Sequence, residues 1–165
     1  MVLREVVQRY GIRNVEILSR IVKYVIDNVS NTFSAKSISD YFISQNRKVD
    51  LNTIYNYIDA LKSSFVINKV NRYDIHGKEI LKTQEKYYLA NQGIQHANFG
   101  YKDRNISGVL ESVVYNELIM RGYQVYVGKI QDLGIDFVAE RKNDKIYVQG
   151  VRHVYLGDFI TSDWV

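Results

Sequence analysis

The chain has 165 residues, of which 46% are hydrophobic and 24% charged, and its formal net charge is +4; this is the balance of a foldable globular protein of one ordinary domain or two small ones, and it excludes a disordered tail. Cysteine is absent and the three histidines, His76, His96 and His153, are scattered, which excludes disulfides and a zinc site of Cys/His spacing. No run approaches the roughly 20 apolar residues that cross a bilayer, and the start Met1, Val2, Leu3, Arg4, Glu5 has no signal-peptide layout, so a cytoplasmic protein with no membrane partner is expected.

The charge is uneven: residues 1–90 hold 14 Lys/Arg against 9 Asp/Glu, residues 91–165 hold 8 against 9. The basic excess is therefore N-terminal, with the sign that a phosphate-binding surface needs. Proline is absent, so boundaries must be read from turn-forming clusters. The densest lies at 91–105, where Asn91, Gly93, Asn98, Gly100, Asp103 and Asn105 crowd together. The expected organisation is a domain over 1–90, a linker over 91–105 and a second domain over 106–165.

In chain order, Val15, Leu18, Ile21, Val22, Val25, Ile26 and Val29 recur at helical spacing behind a capping Asn14. A second helix starts from Ser34 and turns Ile38, Tyr41 and Phe42 inward. A third starts from Asp50, with Leu51, Ile54, Ile58 and Leu61 inward and Asn52, Thr53, Asn56 and Asp59 toward solvent. Two strand-like runs follow, Phe65 to Val70 and Glu85 to Leu89, joined by a turn at 74–79. Three helices and a hairpin make a winged helix-turn-helix, whose second helix of the pair enters a DNA major groove. Asn52 and Asn56 on that helix are the candidate base contacts. Lys62, Lys69, Arg72, Lys78 and Lys82 around the wing are the candidate phosphate contacts. Fourteen tyrosines, several at core periods, point to packing and interfaces more than to base stacking.

The second block opens with a helix over 106–121, striped by Leu110, Val113, Val114 and Leu118 and stopped by Gly122. Glu117 and Arg121 have i,i+4 ion-pair spacing, and Glu111, on the helix edge, is expected to be solvated. Three strands follow, at 123–127, 135–139 and 145–149. By simple alternation Asp136 shares a face with Val138 and Glu140, away from Ile135, Phe137 and Ala139. A carboxylate inside an apolar run is costly to bury, so Asp136 is either a site residue or a structural hydrogen-bond acceptor. A helix and three strands with Glu111, Asp136 and Gln149 in these places make the skeleton of a PD-(D/E)XK nuclease. There, oxygen ligands on adjacent strands hold Mg²⁺ and a lysine beyond the last acid helps the attacking water. The candidate catalytic set is Glu111, Asp136 and Gln149, with Glu111 and Asp136 as Mg²⁺ ligands.

The runs Lys86 to Gly93, Leu110 to Leu118, Arg121 to Lys129, Ile135 to Ala139 and Tyr147 to Gln149 together resemble the uncharacterised region that follows the ATPase module in a large group of prokaryotic AAA-type ATPases. The resemblance covers about residues 3 to 149. It implies that ATP is bound by a module upstream of Met1, which would also be a partner of this region; no Gly-x-x-x-x-Gly-Lys-Ser/Thr loop occurs in the chain itself. The family often has Glu-Ile-Asp-Phe-Val, where this chain has Gly134 before Ile135. A nuclease has Glu-x-Lys, where this chain has Gln149, Gly150, Val151, and the tail 151–165 does not continue the pattern. The expected fold class is α+β, a winged helix-turn-helix followed by an incomplete restriction-endonuclease-like α/β domain. The expected function is a DNA- or partner-binding module on a degenerate nuclease-like scaffold, with no cofactor of its own. The alternatives are a Mg²⁺-dependent nuclease with a degenerate site and a region that binds protein alone.

Overall fold

The computed structural model describes residues 2–75, 77, 79–91, 93, 106–130, 133–142 and 144–149. The fold is mixed α+β, with five helices and one six-stranded sheet among the described residues. The helices are α1 (Val2–Arg9), α2 (Val15–Asp27), α3 (Ala35–Ser44), α4 (Leu51–Ser63) and α5 (Ile106–Met120). The strands are β1 (Thr32–Phe33), β2 (Ile67–Asp74), β3 (Glu79–Leu89), β4 (Gln124–Ile130), β5 (Leu133–Arg141) and β6 (Asp144–Val148).

Local chemistry starts each central helix where the sequence places it. The Asn14 side chain accepts the Ile17 N–H at 3.1 Å, Ser34 and Ser37 cap one another reciprocally, and Asp50 Oδ2 accepts from Asn52 and Thr53. Each satisfies amide donors that a helix start leaves without partners. Two elements were not legible in advance: α1, whose Val6 is buried against the other helices, and β1, whose Phe33 is buried. Two further expectations are corrected. Phe65 and Val66 precede the strand, and Leu51 is exposed rather than inward.

The strand order is β1-β3-β2-β4-β5-β6, antiparallel throughout except for the β2–β4 pair, which is parallel over Arg72↔Val127, Tyr73↔Gly128 and Asp74↔Lys129. Hydrogen bonds therefore run from the first sequence block into the second. The stretch expected to link them, 91–105, lies largely outside the described residues.

Two cores flank this sheet. One gathers α1 to α4 with Phe33, Ile67, Tyr87 and Leu89; the other gathers Val114, Tyr115 and Leu118 of α5 with Val70, Tyr88, Val127, Phe137 and Ala139. Side chains alternate along a strand, so Tyr87 and Tyr88, adjacent in β3, belong to different cores.

Close approach also binds α5 to the helical block. A Cβ on Gly108 would lie 2.8 Å from the Val29 carbonyl oxygen and 3.1 Å from Val29 Cγ1. Glycine to alanine in a helix ordinarily gains up to about 1 kcal/mol. At Gly108 the sign should reverse. Gly108→Ala is expected to lose about 1–3 kcal/mol, the usual cost of overpacking, in urea denaturation; an unchanged or raised midpoint would show that α5 does not sit this close.

Candidate functional site

Asp136 connects the three candidate residues: its charge acts on Glu111 of α5, and its backbone N–H is taken by Gln149. Glu111 is buried, which overturns its expected solvation. The face that α5 buries is Gly108, Glu111, Ser112, Val114, Tyr115 and Leu118, with Leu110 and Val113 only half-buried. The helix is thus turned so that a polar line, rather than an unbroken apolar stripe, meets the sheet.

Partners on β3 and β2 account for that line. Glu111 Oε2 accepts from the Tyr88 hydroxyl at 3.2 Å and from Lys86 Nζ at 3.4 Å. Ser112 Oγ donates to the Gly108 carbonyl and accepts the Leu89 N–H. The Asn116 amide donates to the Leu89 and Ala90 carbonyls and accepts from Asn68. Buried polar groups cost stability unless they find partners, and these do. Lys86 and Tyr88 lie within a run that carries the family resemblance but are not among the candidate site residues of the sequence. A lysine inside an apolar strand was the available signal.

Burial pushes the Glu111 carboxyl above its ordinary range, and Asp136 adds to the rise, against Lys86 and the Tyr88 hydrogen bond, which lower it. Burial and the Glu111 charge also push the Tyr88 hydroxyl strongly up, so it stays a neutral donor.

The influence of Asp136 on a group across the interface has a backbone cause. Tyr126 pairs with Val138 and Gly128 with Ile135, so Asp136 and Phe137 together stand opposite Val127. This is a β-bulge, which breaks the alternation read from the sequence and re-aims the side chain at the extra residue. The same residue's N–H is taken by Gln149 Oε1 at 3.2 Å, from the position opposite Asp136 beyond the Phe137↔Val148 pair. Gln149 thereby holds the bulge.

These contacts bear on the fit of Mg²⁺. Glu111 Oε2 is engaged by two donors and Gln149 Oε1 by a backbone amide. Among the described residues, no three Asp, Glu or His side chains are grouped to hold a metal. Asp136 lies near both Glu111 and Gln149, but the three do not form a ligand cage.

The candidate nucleic-acid contacts are dispersed in effect. Asn52 and Asn56 are exposed on α4. Lys62 is paired with Asp59 at 3.2 Å and Lys69 with Glu85 at 2.7 Å. Arg72 is half-buried in β2. Lys78 lies outside the described residues, as does the side chain of Lys82, which falls where the β2–β3 register slips.

Residues 1–105 match a family model described as a domain of unknown function, DUF8612. The chain is 35% identical over 149 residues to an "Uncharacterized protein" of Haemophilus influenzae, covering 90% of this chain and 37% of that protein. It is 25% identical over 147 residues to "Uncharacterized protein MJ1544" of Methanocaldococcus jannaschii, covering 87% and 32%. The chain thus spans about a third of the length of these relatives.

The Lys86–Glu111 pair can be tested by a double-mutant cycle. Removing one partner of a buried pair strands the other charge and costs about 3–5 kcal/mol, whereas replacing both with apolar residues is often neutral or stabilising. Lys86→Met alone should therefore destabilise, and Lys86→Met with Glu111→Leu should recover most of the loss in chemical denaturation. The pH sign follows from the raised carboxyl. The folded chain holds this proton more tightly than the unfolded one, so the contribution is present below the ordinary value of 4.5 and is lost as pH rises through the higher folded value. Glu111→Gln should flatten the fall of Tm with pH above 4.5; an unaltered slope would place that dependence elsewhere.

Proposed function

We propose, for a chain that belongs to the DUF8612 family, that it is the accessory region of a larger prokaryotic AAA-type ATP-binding protein. Its helical block docks protein, and its sheet block is a non-catalytic scaffold. In this reading α3 and α4 are the helix pair of a winged helix and β2–β3 its wing. The second block is a degenerate nuclease-like unit.

The observation that carries the docking role is the exposed face of α4. It presents Leu51 and Tyr55, spaced i,i+4, beside a lysine already neutralised by Asp59, while Lys69 of the wing is neutralised by Glu85. A helix that grips DNA needs cations free to displace counterions at phosphates. An apolar and aromatic face without net charge suits a protein surface better, since aromatic anchors carry most interface energy. The length of the relatives supports a larger parent: about two thirds of each lies outside the match.

Fluorescence anisotropy with a DNA duplex at two salt concentrations tests this. Binding should be weak and should fall steeply with salt, as for phosphate contacts alone. Tight binding that Asn52→Ala or Asn56→Ala abolishes would make α4 a base-reading helix and overturn the docking role.

The second reading, a Mg²⁺-dependent nuclease using Glu111, Asp136 and Gln149, is favoured by one observation, the bulge that re-aims Asp136. Against it stand the engaged oxygens of Glu111 and Gln149 and the valine at 151 in place of lysine. Loss of a general base alone costs roughly 10²–10⁴ in rate. Plasmid and single-strand cleavage with Mg²⁺ or Mn²⁺ should show no turnover. Cleavage that disappears in Asp136→Ala would install the nuclease reading instead.

A further inference from the structure

Four of the described helices end in one motif: a residue with positive φ, followed by a backbone N–H that reaches back to a carbonyl five residues earlier. In α1 it is Gly11, φ 59°, with Ile12 N–H on the Val7 carbonyl at 3.0 Å. In α3 it is Asn46, φ 55°, with Arg47 on Phe42 at 2.9 Å. In α5 it is Gly122, φ 81°, with Tyr123 on Leu118 at 3.1 Å. Glycine and asparagine suit that left-handed backbone. In α4 the position is held by Phe65, φ 53°, with Val66 on Leu61 at 3.0 Å. A bulky residue with positive φ is an outlier, and here the residue is 78% exposed. Neither the backbone nor the core of the described fold gains from a phenylalanine there.

The surroundings give that ring a use. Phe65 and Ser64 face Glu5, Val6, Gln8 and Arg9 of α1 across an open cleft of about 430 Å³. Beyond Arg9 the seam between α1 and α4 continues past Tyr10 to Arg13, which lines an adjoining groove with Asn56 and Tyr57. Among the described residues Arg4, Arg9 and Arg13 make no ion pair. In contrast, Arg20 and Arg47 share Glu16. The seam therefore combines an exposed aromatic with an excess of arginine: Arg9 shares the cleft with Glu5, and Arg13 shares the adjoining groove with Asp59, which is already paired with Lys62.

We propose that the α1–α4 cleft is the docking site for an acidic segment of the longer polypeptide to which this region belongs, with Phe65 as the aromatic anchor and Arg9 and Arg13 as its charge partners. The segment lies in the part that the relatives have beyond the match. Its apolar side chain packs on Phe65, and its carboxylates face the arginines. This rests on the reading of the helical block as a protein-docking module.

The test is a peptide array tiling the Haemophilus influenzae relative outside its matched segment, probed with this chain and with Phe65→Gly, Arg9→Glu/Arg13→Glu and Tyr55→Glu. Affinities for captured peptides are then measured in solution. Capture should concentrate on acidic peptides with an apolar residue. Phe65→Gly should weaken it roughly thirtyfold, the loss expected on removing an interface anchor, and the double arginine variant should abolish it. Phe65→Gly places the favoured residue in the motif, so its Tm should rise by about 2–4 °C; loss of binding in a more stable protein cannot be misfolding. No capture, capture indifferent to Phe65→Gly, or a Tm lowered by it would overturn the proposal. Capture lost in Tyr55→Glu but kept in Phe65→Gly would leave the docking module standing and move its site to the outer face of α4.

Discussion

The alternation of Lys86, Tyr87, Tyr88 and Leu89 along β3 is the constraint on which the rest of the molecule depends. Tyr87 and Leu89 close the helical core, while Tyr88 enters the core under α5 and Lys86, on its side of the strand, reaches Glu111. A register slip of one residue would exchange the two sets and empty both cores at once, because strand side chains change face with every residue. Aromatic contacts reinforce the arrangement on each side. Tyr87 stacks on Phe33 at 4.6 Å, and Tyr88 stacks on Tyr115 at 5.2 Å and meets Phe137 at 5.3 Å.

The polar line of α5 complements that strand. Apolar packing alone would leave the helix free to rotate or slide by a turn with little loss, since hydrophobic contact has no direction. Glu111, Ser112 and Asn116 instead meet donors and acceptors at fixed points of β3 and β2, and any other placement would leave buried groups unbonded. Desolvation of Glu111 is the opposing term, visible in its raised carboxyl. The helix gives up some stability and in exchange has a single seating.

Legibility in the sequence followed the range of the interactions involved. The caps Asn14, Ser34 and Asp50 act within three residues and were readable, as was Gly122. Helix α1 was not, because it is only eight residues long and no Ser, Thr, Asp or Asn precedes it, although Gly11 ends it. Glu111 was placed on the solvent side because an acid within a helical stripe is ordinarily solvated; its burial depends on Lys86 and Tyr88, about 25 positions away. The β2–β4 pairing and the bulge at Asp136 are products of register between strands, and no local pattern encodes them. Gln149's role as the partner of a bulge amide appears only in three dimensions.

The adjacency of Tyr87 and Tyr88 also has a mechanical meaning. A pull on α5 is borne by Tyr88, by Glu111 and by the Leu89 amide, all tied to β3, while Tyr87 and Leu89 anchor that strand among the helices. Neither block can be displaced far without loading the other, because one strand is the beam for both. Torque applied at either end is transmitted along that beam rather than dissipated in a soft joint, so a rotation imposed on one face would arrive at the other with little loss.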